Sequence, residues 1–491
     1  LLEEVPLNET LSAKLQNLPP YSGGNTNGGG GLGGQASLYP GFPRKLPPQP
    51  ALARNTGETI KVASQHAPAE PMLVLDYVTL NAAKTNFTFT GGETFLISNA
   101  LSLIGSTTIE PSAVLKYVDD PSLYWGLDLY GPLICPSNIY SPAIFTSKDD
   151  NSVGAIIAGS TGSPVTATNV YYFFLDSTNI AGFSNCRFSY AAVGALILYS
   201  GELELQNCQF VNCAYGLVNR GANNLNLRNV LFAGGTKAIQ FWQNAITLNA
   251  EHVTSTSATF WGYNDYQPVL HLTNSIIYGF SAPSGYAAQT YAATNPVGTV
   301  FQSVAGGNFY LANYSPFREV ATPVISPSAK ALVAAGTTFP PILLTNNFTS
   351  NTTLYPQAPR DVYSRDYGYH YPPLDFVISN RSISGATLTL TNGVAVGVLG
   401  TNGLTFSTSS PGLVSQGSPL NLNRLVPCAA VQELVTNRLN TLLNLPGSGV
   451  ASIDLRFTAL PLLGGISYFL NLTDPDPIHT TLARSNSAIA S

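Results

Sequence analysis

An all-β chain of stacked short strands is the fold class this sequence predicts, and three observations predict it. The segments NCRF at 185–188, NCQF at 207–210 and NVLF at 229–232 recur, with Asn185, Asn207 and Asn229 spaced 22 residues apart twice running. The period continues to Ala250 and to Asn274, where the segment reads NSII. A fixed period of 20 or more residues is the mark of a repeat architecture in which neighbours bury one another's apolar faces. Strict alternation precedes the repeats: Leu203 and Leu205, Leu225 and Leu227, Ile246 and Leu248, Leu270 and Leu272 are each separated by one residue. Alternation at period two places the leucines on one face of a strand and Glu204 on the other. The composition is that of an uncharged β protein: only 10% of residues are charged, against an ordinary share of about 25%.

A unit near 22 residues holds three short strands joined by bends, each lying about 4.8 Å above its equivalent in the previous unit. Asparagine suits the bend because its short polar side chain tolerates the left-handed backbone region. Stacked asparagines also hydrogen-bond along the axis, as side-chain ladders do. The expected structural ladder is therefore Asn185, Asn207, Asn229 and Asn274, with Phe188, Phe210 and Phe232 as an internal aromatic stack.

Residues 1–70 read as a flexible Gly/Pro-rich arm, since Gly28 to Gly31 is unbroken and residues 40–50 are proline-rich. Leu7, Leu11, Leu15 and Leu18 have the spacing of one short helix within it. Residues 71–325 read as the first stack, with a polar loop over 146–161, a long loop over 281–300 and a last repeat over 301–311. Residues 326–373 lose periodicity among prolines and read as a connector. Residues 374–491 resume the alternation as a second stack, with a short helix expected within 431–445 and one more repeat at 452–457.

Several function classes find no footing. The net charge is −5 with no basic patch, so nucleic acid is not an expected partner. No run of 18 apolar residues suggests a membrane span. The chain opens Leu1-Leu2-Glu3-Glu4 without Met, which reads as a processed or mature fragment. The five cysteines leave an odd thiol; Cys186 and Cys208 stand at equivalent positions and read as stacked, buried thiols.

Four sequence segments resemble large secreted bacterial proteins of right-handed parallel β-helix architecture, the pectate-lyase-like class: FTFTGGETF at 87–95, PAIFTSKDDNSVG at 142–154, GNFYL at 307–311 and DYGYHYP at 366–372. The repeats themselves share the resemblance, which covers residues 71–470. It implies a right-handed parallel β-helix in two stacked segments and an extracellular or cell-surface location. Lyases, hydrolases, adhesins and structural proteins all use the architecture, so the site must decide the activity.

A lyase of this class needs clustered acids for calcium and a basic residue, and a hydrolase needs paired carboxylates on neighbouring repeats. Carboxylates do not recur at the repeat spacing: Glu202 and Glu204 are matched one repeat on by Asn224 and Asn226. Asp361, Asp366 and Asp375 read as charges around a turn, and His252 and His271 as surface residues of their repeats. Asp149, Asp150 and Asn151 bring together calcium-type oxygens without the regular Asp-x-Asp spacing. No catalytic residue, metal site or cofactor is expected. The 25 tyrosines suit a sugar-stacking platform or subunit contacts. The resulting expectation is a non-catalytic extracellular structural or adhesive protein that assembles with copies of itself into a fibre or surface layer. Polysaccharide is the alternative partner, either bound as by an adhesin or cleaved at a divergent lyase or hydrolase site.

Overall fold

The structure is a computed structural model that describes residues 77–470, apart from 120–123, 137, 177–181, 223, 243–246, 262–267, 282–290, 363–364, 408, 435–436, 445–450 and 461–466. The N-terminal arm with its leucine pattern, His66 and His479 lie outside the described residues. All described residues belong to one unit, Leu73–Ser491.

The chain is all-β, built from long parallel sheets with few helices. Three ladders run through the first part. From Gly194–Leu198 onward the chain visits them in turn: Glu202–Gln206, then Gln209–Val211, then back beside its start at Tyr215–Asn219. The next round is Asn224–Arg228, Leu231–Ala233 and Lys237–Phe241, each parallel to its predecessor and without a slip. Two ladders meet in the nine-residue strand Val269–Ile277, which turns at Asn274.

Alternation explains the core. Leu203, Leu205, Leu225, Leu227, Leu248 and Leu270 are all buried, and Leu203↔Leu225↔Leu248↔Leu270 stand in register. Phe145, Phe188, Phe210 and Phe232 stack face to face at 4.7, 5.0 and 4.9 Å between centroids. The register also corrects the repeat count. Leu227 pairs with Ala250, so the residue standing on Asn229 is His252 and not Ala250. Strand register follows the inward-facing residues, and an extra residue between strands leaves it unchanged.

Residues 301–311 are not one more parallel repeat. Phe301–Val304 and Gly307–Leu311 form an antiparallel hairpin, because Ala305 takes φ 56° and turns the chain back on itself. Tyr291–Thr294 is a strand beside Val269–Ile277, within the stretch read as a loop. Pro327–Ala335 is a helix, capped by the Ser326 hydroxyl on the Ala329 amide with proline at its start.

Parallel pairing then resumes in two sheets. One runs through Ile342–Leu344, Phe376–Ile383, Ala395–Phe406 and Asn423–Pro427; the other through Thr352–Leu354, Thr387–Leu390, Gly412–Gln416 and Ser452–Arg456. Two of these strands lie inside the stretch 326–373. The helix expected within 431–445 is displaced: a four-residue helix spans Cys428–Val431, and Thr441–Asn444 is a strand. Leu442 and Leu443 are buried there, with Leu443 paired to Leu404, so sheet packing overrides the leucine spacing.

Candidate functional site

Asparagines occupy the bends of the first part. Asn185, Asn207, Asn229, His252 and Asn274 all take φ between 50° and 55°. Asn207 Nδ2 donates to Asn185 Oδ1 at 3.0 Å and Asn229 Nδ2 to Asn207 Oδ1 at 2.7 Å. His252 Nε2 and Asn274 Nδ2 lie 3.0 Å apart. The column also clips residues before and within the connector in place. Asn229 accepts from the His370 amide at 2.7 Å and donates to the His370 carbonyl at 2.8 Å, while Asn274 does the same with Thr322 at 2.9 Å each.

Behind this clip lies a buried polar seam. Arg187 donates Nε to Gln209 Oε1 at 2.8 Å and its terminal nitrogens to the carbonyls of Ala429 and Ala430. Gln209 in turn donates to the Tyr369 hydroxyl at 3.0 Å. Glu433 accepts from the Tyr371 hydroxyl at 2.8 Å and the Asn308 amide at 2.7 Å. Burial raises the Glu433 carboxyl above its usual range and lowers the Arg187 guanidinium. A cavity of about 20 Å³ opens among Asn185, Arg187, Gln209 and Tyr369, room for a water and no more. Perturbed groups in so small a space are those of a satisfied structural network.

The acids of the turn belong to the same framework, and the reading of them as charges around a turn is corrected: all three are buried. Asp361 meets His370 Nε2 at 2.6 Å and the Asp366 amide at 2.7 Å. Asp366 accepts from Arg318, Thr338 and the Glu319 amide; Asp375 accepts from the amides of Gln357, Ala358 and Ala395. Their oxygens hold backbone that sheet pairing leaves unpaired. His252 is likewise fully buried and not a surface residue, whereas His271 is exposed. Asp150 spends its oxygens on Thr146 and Ser152, and Asp149 accepts through Oδ1 from Lys148 and the Thr161 amide. Cys186 is buried with its sulfur 3.4 Å from that of Cys135, and no cysteine is cross-linked.

The outer face of the ladder through Trp125–Leu129, Val170–Leu175, Gly194–Leu198, Tyr215–Asn219 and Lys237–Phe241 differs from all of this. Leu129, Leu175, Leu198, Asn219 and Phe241 stand in register and point inward. The next residue of each strand therefore points outward: Tyr130, Asp176, Tyr199, Arg220 and Trp242. Backbone bonds carry the ladder through these positions, from Asp176 N to Leu129 O, Tyr199 N to Leu175 O, Arg220 N to Leu198 O and Trp242 N to Asn219 O, at 2.8–3.2 Å. Tyr130, Tyr199 and Trp242 are 48%, 54% and 47% exposed, so about half of each ring faces solvent.

Neighbouring side chains hold this column upright. The Arg220 guanidinium lies 4.4 Å from the Trp242 ring and donates to the Tyr124 hydroxyl at 3.2 Å. Phe174 packs on Tyr199 at 5.8 Å and Tyr171 on Tyr124 at 5.2 Å. The Tyr171 hydroxyl donates to Asp128 at 2.7 Å. Asp128, then burial, then Asp176 raise the Tyr130 phenol, so it stays a neutral donor. The tyrosine count hinted at a platform without placing it. The signal that would have placed it is the spacing of Tyr199, Arg220 and Trp242, which follows the repeat.

No family model, curated protein or solved structure matches this chain. Among the described residues no helix is long and apolar enough to cross a membrane.

Proposed function

We propose that this protein is a secreted right-handed parallel β-helix that adheres to polysaccharide without cleaving it, through the outward aromatic face of one ladder. The observation that carries the reading is the column Tyr130, Asp176, Tyr199, Arg220 and Trp242, in which half-exposed rings alternate with charged groups along the stack. Pyranose rings present apolar C–H faces and a hydroxyl rim, and aromatic rings beside a carboxylate and a guanidinium match both. The β-helix part of the reading is supported by the three parallel ladders visited in turn and by the left-handed residue at each bend. The non-catalytic part is supported by the occupied oxygens of Asp366 and Asp375 and by Asp361 Oδ2, each committed to backbone or to a buried partner.

The test is retention of the purified chain on insoluble polysaccharides, neutral and acidic, with an assay of new reducing ends in the supernatant. Retention without new ends is expected. Release of soluble sugar would make the protein an enzyme, and passage through every matrix would remove polysaccharide as the ligand.

A further inference from the structure

Resting on the adhesive reading, we infer the geometry of the glycan: a linear β-1,4-linked chain of gluco-configured pyranoses lying along the stack, perpendicular to the strands. Adjacent strands of a ladder are about 4.8 Å apart, so Tyr130, Tyr199 and Trp242, on alternate strands, repeat at about 9.6 Å. Asp176 and Arg220 stand on the strands between them. An extended β-1,4-linked chain turns by half a revolution at each residue. The same ring face therefore returns at every second sugar, at a pitch close to two strand spacings. Equatorial hydroxyls leave both faces of a gluco-configured ring apolar, the condition for stacking on tyrosine and tryptophan.

The intervening charges complete the match. Between two stacked sugars lies one that turns its opposite face to the protein, and the hydroxyls along its edges are met at those positions by acceptors of Asp176 and donors of Arg220. The rings are preorganised: Arg220 braces Trp242 and Phe174 braces Tyr199, so little side-chain freedom is left to lose on binding. An α-1,4-linked glucan coils and cannot keep three successive faces on a flat column. The occupant is therefore defined by linkage and ring configuration, which glucose-based and N-acetylglucosamine-based chains share.

Titration calorimetry of the full chain with cello-, chito- and malto-oligosaccharides of two to six residues tests this. Affinity is expected to rise from the dimer to the hexamer in the cello or chito series and to be absent in the malto series. Tyr199→Ala and Trp242→Ala should each weaken hexamer binding by roughly tenfold, whereas Tyr199→Phe, which keeps the ring, should bind within about twofold. Circular dichroism and melting curves confirm that the variants fold. Equal binding of the malto series, affinity that stops rising at the dimer, or full affinity in both alanine variants would overturn the inference while leaving polysaccharide adhesion in place. No binding of any glycan, soluble or insoluble, by the native chain would overturn both.

Discussion

Phe188, Phe210 and Phe232 stack inside the protein at 4.9–5.0 Å, while Tyr199, Arg220 and Trp242 climb its outer surface along a neighbouring ladder of the same stack. One repeat pitch thus produces two columns. The inner one holds a ring at every step, each fully packed. The outer one alternates ring and charge, and its rings remain half exposed. Identical neighbours stacked at every step serve burial. Alternation with unlike partners leaves apolar surface in water at a cost of about 25 cal/mol per Å², and it is this surface that the proposed adhesion uses.

Substitution separates the two columns. Phe210→Ala empties a site walled by Phe188 and Phe232 and should cost about 3–5 kcal/mol, read as a shift in the denaturation midpoint. Polysaccharide retention of the surviving folded fraction should be unchanged. If the variant melted like the native protein, the inner column would not be the core.

A smaller effect is expected where the asparagine column clips the connector. Asn229→Ala removes both bonds to His370 and the one to Asn207, and it places a Cβ-bearing residue without a polar side chain at φ 54°. The cost should be about 1–3 kcal/mol. Protection from hydrogen exchange should fall first in residues 366–372.

His252 gives the comparison a pH dependence. Burial, then His370 and Arg365, hold its imidazole well below the usual histidine range, so the folded form keeps it neutral. The unfolded chain takes up a proton near pH 6.5 and the folded one does not. Stability contributed by this group is therefore present above pH 6.5 and declines as pH falls below it, by up to about 1.4 kcal/mol per pH unit. His252→Asn places the ladder's own residue at a bend that already has φ 55°, and its melting curve should lose less between pH 6.5 and 5 than the native one. Equal acid sensitivity would locate the loss elsewhere.

The smallest stability change belongs to the outer column. Tyr199→Ala should alter stability by no more than about 0.5 kcal/mol, since half of the ring that packs on Phe174 is already in water. A loss comparable to that of Phe210→Ala would make the outer column structural and would weaken the adhesive reading.

Much of the parallel stacking could be read from the chain because its cause is local. Two leucines one residue apart, then asparagine, then phenylalanine repeat wherever the pattern repeats, and the strands Glu202–Gln206, Asn224–Arg228 and Gln209–Val211 follow from it. Similarity of letters places the fourth bend at Ala250, two residues short of His252, because it does not distinguish inward-facing residues from bend residues, and the hairpin at 301–311 leaves no mark in the pattern, since its reversal rests on the single left-handed residue Ala305. Asp361, Asp366 and Asp375 read from the chain as charges around a turn; their burial is tertiary, and Asp361 is held by His370, whose backbone docks on Asn229 more than 100 positions earlier in the chain.

The outer column shows the same division more sharply. Spacing alone dictates that Tyr199, Arg220 and Trp242 share a face, because strands of equal register must stack. Asp176 stands 23 residues before Tyr199, close to the repeat, whereas Tyr130 stands 46 residues before Asp176 on the adjacent strand, an interval that no period in the chain places there. Only the pairing of Leu129 with Leu175 and of Leu175 with Leu198 brings them into line. Local alternation sets which way each side chain points, whereas its neighbours along the stack depend on how many residues each loop spends between strands, and that is settled in three dimensions.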